Sequence, residues 1–352
     1  MTAALGLVVP QQQFPVLGNS LVLGIIFILH IAIAEFSVGA ITLAVIMEWR
    51  SLKLDRHREA RYARGAANSY YLVFSLGATF AVFAVVLLLG LWSNEFGTLA
   101  NVMLPLFAFA FGLFLLIAPA LVWYRNSWGR MEPRRHAALG TVVATLQTLF
   151  VFLIVGLDAY LITPFNSGLA ATSLNPPYWP LLIHRLIGNV SWTALFSAAW
   201  AAWKLRRTAN SEERAFQGWA SSINLRIGLG AALLMPADGF ILVYVISLFQ
   251  PGFFSQLVAG DSAWMLVLQE IFLGIVLVGG NLALLYEACW SGAAPSVIDR
   301  VAIGVSLAGM VIACLPAAVI PSSVIALRYT GLFAAVAVTG VHLYVRWRSP
   351  AR

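Results

Sequence analysis

The sequence predicts an all-α, polytopic membrane bundle, and three observations carry that prediction. Of 352 residues, 61% are hydrophobic and 10% charged, with a mean hydropathy of +0.87, whereas soluble domains carry about 25% charged residues. Apolar runs of spanning length recur along the whole chain. Basic residues collect in alternate connectors. Backbone groups cannot go unpaired in lipid, and the alternating segments of a barrel, about ten residues each, are missing, so helices remain.

The runs fall at 18–48, 71–92, 100–124, 138–163, 180–203, 225–249, 263–288, 301–320 and 325–346, which makes nine spans. With no internal repeat or low-complexity segment, residues 1–352 read as a single transmembrane domain. Of the 21 Lys and Arg residues, 19 follow spans one, three, five and seven or lie in the C-terminal tail. The positive-inside rule then places the N-terminus outside and the C-terminus in the cytoplasm, which requires an odd number of spans. The net charge of +7 follows from this topology and from anionic lipid, with no nucleic-acid partner. Trp49, Trp92, Trp123, Trp179, Trp203, Trp264, Trp290 and Trp347 mark run ends, as an interfacial belt does. Residues 1–16 lack the pattern of a cleaved signal, so the first span is expected to be retained. Cys289 and Cys314 sit near opposite faces and predict no disulfide. No C-x-x-C-H, Walker or dinucleotide fingerprint is present.

Taken in order, the first span carries His30, Glu35, Gly39 and Glu48. At about 1.5 Å per residue, His30 and Glu48 lie five turns and roughly 27 Å apart on one stripe. The connector 51–68 is basic and Ala-rich and reads as a solvated face. Spans two and three hold no charged residue and read as packing and lipid-facing helices. Span four carries Gln147 and ends at Asp158. Span five opens on Ile183-His184-Arg185, and Arg185 and Arg328 are the two basic residues assigned outside. Span six contains Pro236-Ala237-Asp238-Gly239, where a distortion is expected. A short connector, 250–262, leads to span seven with Met265, Gln269 and Glu270. Span eight offers Met310, and span nine ends at His342.

Ionisable groups at membrane depth are costly and mark functional sites by default. His30, His184, Arg185, Asp238 and Glu270 all map to the outer half or midplane. Imidazole is a strong axial ligand, and Arg pairs with propionates, so haem b at His184 and His30 is the functional reading. A hydrogen bond to a neighbouring helix is the other. Met265 and Glu270 compete as a further axial ligand. Arg328 joins Arg185 as a cofactor-binding candidate. Glu35 lies roughly 140° round the helix from His30, away from its site. It lines a proton or quinol path, or bonds to a neighbouring helix as a neutral acid. Glu48 and Asp238 are further path candidates, although Asp238 beside Pro236 reads first as a cap for the broken turn. His57, His136 and His342 read as structural.

The first span resembles that of subunit I of the cytochrome bd-type quinol oxidases. There an axial haem histidine is followed nine residues later by glycine and eighteen later by the glutamate of a Met-Glu pair. His30, Gly39 and Met47-Glu48 reproduce both spacings. The resemblance continues through Phe74-Ser75-Leu76-Gly77, Trp92 and Thr163-Pro164 to His184, the counterpart of the family's low-spin haem b ligand. Nine spans with the N-terminus outside match as well. The departures are equally concrete. The family's long outer quinol loop shrinks to 250–262, its third-helix glutamates have no counterpart between Gly97 and Arg130, and its eighth-helix Glu-Ala-Gly-Trp reads Leu307-Ala308-Gly309-Met310.

The resemblance implies a haem b-containing subunit of a bacterial inner-membrane complex, passing electrons between quinone and a partner redox protein. Implied partners are other membrane subunits, a second bd-like subunit or a cytochrome c. Two alternatives stay open: a divergent oxidase that reduces oxygen, and a haem-free scaffold or proton-conducting subunit on the same fold.

Overall fold

The computed structural model describes residues 10–54, 56–260, 263–315 and 326–348. Among these the regular structure is helical, without strands. In chain order the helices are α1 (Asn19–Leu54), α2 (His57–Leu91), α3 (Ser93–Val102), α4 (Leu104–Asn126), α5 (Pro133–Ile162), α6 (Ala171–Leu174), α7 (Tyr178–Arg207), α8 (Ser211–Ala232), α9 (Met235–Phe249), α10 (Pro251–Ala259), α11 (Ala263–Trp290), α12 (Val297–Ala313) and α13 (Ala326–Arg348). Six are long and apolar enough to cross a membrane, counting Ser211–Phe249 as one. The protein is therefore a multi-pass membrane protein.

Several boundaries differ from the apolar runs, and the reason is the same in each case. Hydropathy marks where a helix meets lipid, whereas hydrogen bonding continues as long as no Gly-Pro signal stops it. Thus α2 begins at His57, well before residue 71. Its polar first turns bury Glu59, Tyr62, Ala63 and Ala67, so the stretch read as a solvated connector has one buried face. The run 100–124 is divided at Met103, with Pro105 in the first turn of α4. The run 225–249 breaks at Leu233 and Leu234, and Pro236 opens α9 where its missing N–H is harmless. The short connector 250–262 contains α10. The run 301–320 is helical to Ala313, and residues 316–325 lie outside the described residues.

The chain forms two compact units, Met1–Arg185 and Leu186–Arg352, so that α7 begins in the first and continues in the second. In unit 1, α1 packs along α2 and α5, and α4 along α5. Its core joins Ala40, Ile41 and Ala44 of α1 to Tyr70 of α2, Leu121 and Tyr124 of α4 and Val143 of α5. Outward positions are apolar too. On α4, Phe109, Phe111, Leu115 and Leu116 are all exposed, an inversion that suits a hydrocarbon solvent.

Unit 2 is built on close helix approaches at glycine. A Cβ on Gly228 would meet Leu195 of α7, and one on Gly280 would meet Leu229 of α8. Gly309 of α12 and Gly331 of α13 face each other so closely that a Cβ on Gly331 would stand 2.6 Å from the Gly309 carbonyl oxygen. Leu277, Met310, Ala313 and Ala335 fill the core beside this crossing.

Candidate functional site

His30 lies on α1 and is half-buried. Its ring hydrogen-bonds the backbone of Gly77 on α2. Its Nδ1 is fully buried and meets no hydrogen-bond partner among the described residues. A buried bare imidazole nitrogen costs free energy unless something occupies it. One ring nitrogen tied to backbone and the other free is also how a metal-bound imidazole is held.

His184 and Arg185 start α7. The Arg185 guanidinium bridges two acids on two other helices: Nη1 donates to Glu35 Oε1 of α1 at 2.8 Å, and Nη2 to Asp158 Oδ2 of α5 at 3.3 Å. All three side chains keep about a quarter of their surface exposed, at 25%, 26% and 30%. One cation thus serves two carboxylates. Glu35 is turned away from His30, as the 140° offset requires, and toward the residue that follows His184. This guanidinium is already engaged by carboxylates of its own chain.

At the other end of α1, Glu48 is buried. Tyr124 of α4 donates its hydroxyl to Glu48 Oε2 at 2.6 Å, and His136 Nδ1 of α5 meets Oε1. His136 Nε2 faces the Tyr124 carbonyl at 3.0 Å, and a carbonyl can only accept, so Nε2 carries a proton. One further proton is then shared between Glu48 and His136. The Trp128 ring covers the imidazole at 4.2 Å between centroids.

In unit 2, Arg328 of α13 donates to Glu270 Oε2 of α11 at 2.6 Å and through Nε to the Ala313 carbonyl at 2.9 Å. Both side chains are buried and satisfy one another. Met265, five residues before Glu270, is half exposed on another face of α11, so the two are not alternatives for one position. Asp238 is buried in the first turn of α9, with its backbone N–H on the Leu234 carbonyl. Among the described residues no group of three or more His, Cys, Asp or Glu gathers as a metal site.

The profile of the family described as cytochrome bd terminal oxidase subunit I matches residues 20–279. The chain belongs to the cytochrome bd oxidase subunit I family. Among solved structures, the bd oxidase from Geobacillus thermodenitrificans is similar with a TM-score of 0.59 and 17% identity, covering 92% of this chain and 85% of that one. At that identity the likeness is one of fold. No curated protein matches the sequence. As a bd oxidase subunit I, the chain is a bd-type oxidase-like membrane subunit.

Within this subunit I chain, reading residues one at a time missed two partnerships. Asp158 passed as the end of a helix, although it shares Arg185 with Glu35. His136 reads as structural and Tyr124 draws no reading, although the two hold Glu48. The signal for the second lay in the sequence. A carboxylate at the end of a span requires partners, and His136 sits in the first turn of α5.

Proposed function

We propose that this chain is a haem b-binding subunit of a bd-type membrane oxidoreductase, with His30 and His184 as iron ligands and electrons passing between quinone and a partner redox protein. The observation that carries the reading is the buried, unpartnered Nδ1 of His30 in a chain of this family. Haem, when bound, supplies one-electron redox chemistry set by its axial ligands and surroundings. The chain's own residues do the rest. Gly77 fixes the His30 ring, and Arg185 neutralises Glu35 and Asp158 beside His184. The same carboxylates are the groups placed to take or hold protons there.

The reading includes nine spans, α8 with α9 forming one and α12 and α13 two, with the N-terminus outside. It also includes residence in a bacterial cytoplasmic membrane with other membrane subunits, as a single domain. Asp238, Met265, Glu270 and Arg328 lie in unit 2. There Glu270 and Arg328 serve first as a closed ion pair, and Met265 and Asp238 have no assigned ligand role. The test is a pyridine haemochrome assay on the purified chain and complex. Haem is expected, with its amount or spectrum changed in His30→Ala and in His184→Ala. A colourless preparation, or spectra that neither substitution changes, overturns the proposal in favour of a haem-free subunit.

A further inference from the structure

The hydrogen bonds around His342 fix where its protons are. Asn281 of α11 donates through Nδ2 to Ser306 Oγ of α12 at 3.2 Å and to Thr339 Oγ1 of α13 at 2.8 Å. Each hydroxyl has already spent its own proton on a backbone carbonyl, Ser306 on Ile303 and Thr339 on Ala335. Both can only accept from Asn281, so its amide cannot be turned round. Its Oδ1 therefore faces His342 Nδ1 at 2.8 Å, and Nδ1 must donate. The other ring nitrogen, Nε2, stands 2.8 Å from Asp299 Oδ1 of α12. A neutral ring would point a lone pair at a carboxylate oxygen.

Asp299 is not the group that resolves this conflict. It closes a capping box, accepting from the Ser296 N–H at 2.7 Å and from the Ser296 hydroxyl, and Arg346 of α13 meets both of its oxygens. Against the penalty of burial, these bonds hold its carboxyl well below the usual carboxylate range. We propose that His342 is a proton-binding site, filled as the imidazolium, which latches α13 to α11 and α12 at the arginine-rich end of unit 2 and releases when the proton leaves. Ring and carboxylate are both fully buried, so the lost bond has no water to replace it.

The charged groups on the packed elements are few. α12 brings Asp299 and the exposed Arg300, and α13 brings Arg346, the exposed Arg348 and, about four turns away, Arg328, which is paired with Glu270 of α11. Further along α11, Glu287 is paired with Arg226 of α8 at 2.8 Å. Burial and Arg346 oppose the imidazolium while the bond to Asp299 favours it, so the proton on this ring is exchangeable. Beyond Asn281 the chain of bonds ends in two hydroxyls that donate to backbone. An amide passes no proton, so the cluster is a latch and not a conduction path.

The test uses the full chain in lipid vesicles with ¹⁵N-labelled histidine rings. Val341-His342 is the only Val-His pair in the sequence, so pairwise labelling assigns the resonance without a variant. Both ring nitrogens should be protonated at about pH 5 and one should lose its proton as the pH rises. Hydrogen exchange of α13 amides should quicken roughly tenfold or more over the same interval. In His342→Gln that pH dependence should vanish. A ring neutral at the acid end, a ring that keeps both protons throughout, exchange that ignores the titration, or an H342Q chain that retains it overturns the proposal. If H342Q does not fold, the wild-type titration and exchange decide alone.

Discussion

Tyr124→Phe removes one hydroxyl from the Glu48–His136 cluster and leaves the ring. The bond lost is 2.6 Å long and buried at both ends. A hydrogen bond to a charged group contributes about 1.5–3 kcal/mol, and the variant should be destabilised by that amount. Gly140→Ala reaches the same bond from the other side. A Cβ there would stand 2.7 Å from Tyr124 Cε2 and 2.9 Å from Cζ, well inside the contact distance of about 3.5 Å for carbon. The ring must move and carry its hydroxyl with it, and overpacking of this kind costs about 1–3 kcal/mol. Once Gly140→Ala has displaced the ring, removing the hydroxyl should cost little more. The double-mutant cycle should therefore show coupling of about 1–3 kcal/mol. Reversible unfolding of the full chain in mixed micelles, followed by circular dichroism, measures all four corners. A Y124F variant within about 0.5 kcal/mol of the parent, or strictly additive singles, refutes the reasoning.

Arg185→Gln leaves Glu35 and Asp158 without their shared cation. The loss should fall below the about 3–5 kcal/mol of a fully buried pair, because each partner is about a quarter exposed. Adding Asp158→Asn should restore part of it in the same unfolding assay, and no recovery would show that the two acids do not share the arginine. At the start of α5, the backbone N–H groups of Arg134 and Arg135 hold the exposed Glu132 carboxyl below its ordinary value. The cap's contribution is thus complete above the ordinary glutamate range and is lost as the pH falls through the lowered value. Hydrogen exchange at the Arg134 and Arg135 amides should quicken on that acid side, and Glu132→Gln should remove the dependence.

The helical class, the membrane setting and the family were legible in the sequence because each rests on a one-dimensional signal. These signals are composition, run length, and the His30, Gly39 and Glu48 spacing. The break of span six was legible as well, since Pro236 leaves few other outcomes. What could not be read were partnerships between distant segments. Glu35 and Asp158 are 123 positions apart, yet meet one guanidinium, and no periodicity records that. Helix starts were misread for the related reason that polar turns such as those of α2 can be buried by tertiary packing. The same blindness made His136 and His342 look alike and unimportant, because nothing local shows that their ring nitrogens have partners.

The histidines divide by how fully their ring nitrogens are used, and that division bears on function. His136 and His342 each face an acceptor on both sides, and each ties together three helices at one end of its unit. Such rings have no nitrogen left for a metal. His30 has a buried nitrogen to spare, on the same stripe of α1 as Glu48 and roughly 27 Å from it. Because Glu48 is held by Tyr124 and His136, the rotation and height of α1 are fixed at one end. The open imidazole is then presented at the other end against Gly77. Anchor and candidate ligand are separate residues on one rigid helix, so the anchor can be weakened without touching the ligand. The family's eighteen-residue spacing acquires a physical meaning from this: it is five whole turns, the interval that keeps both groups facing the same side of the bundle.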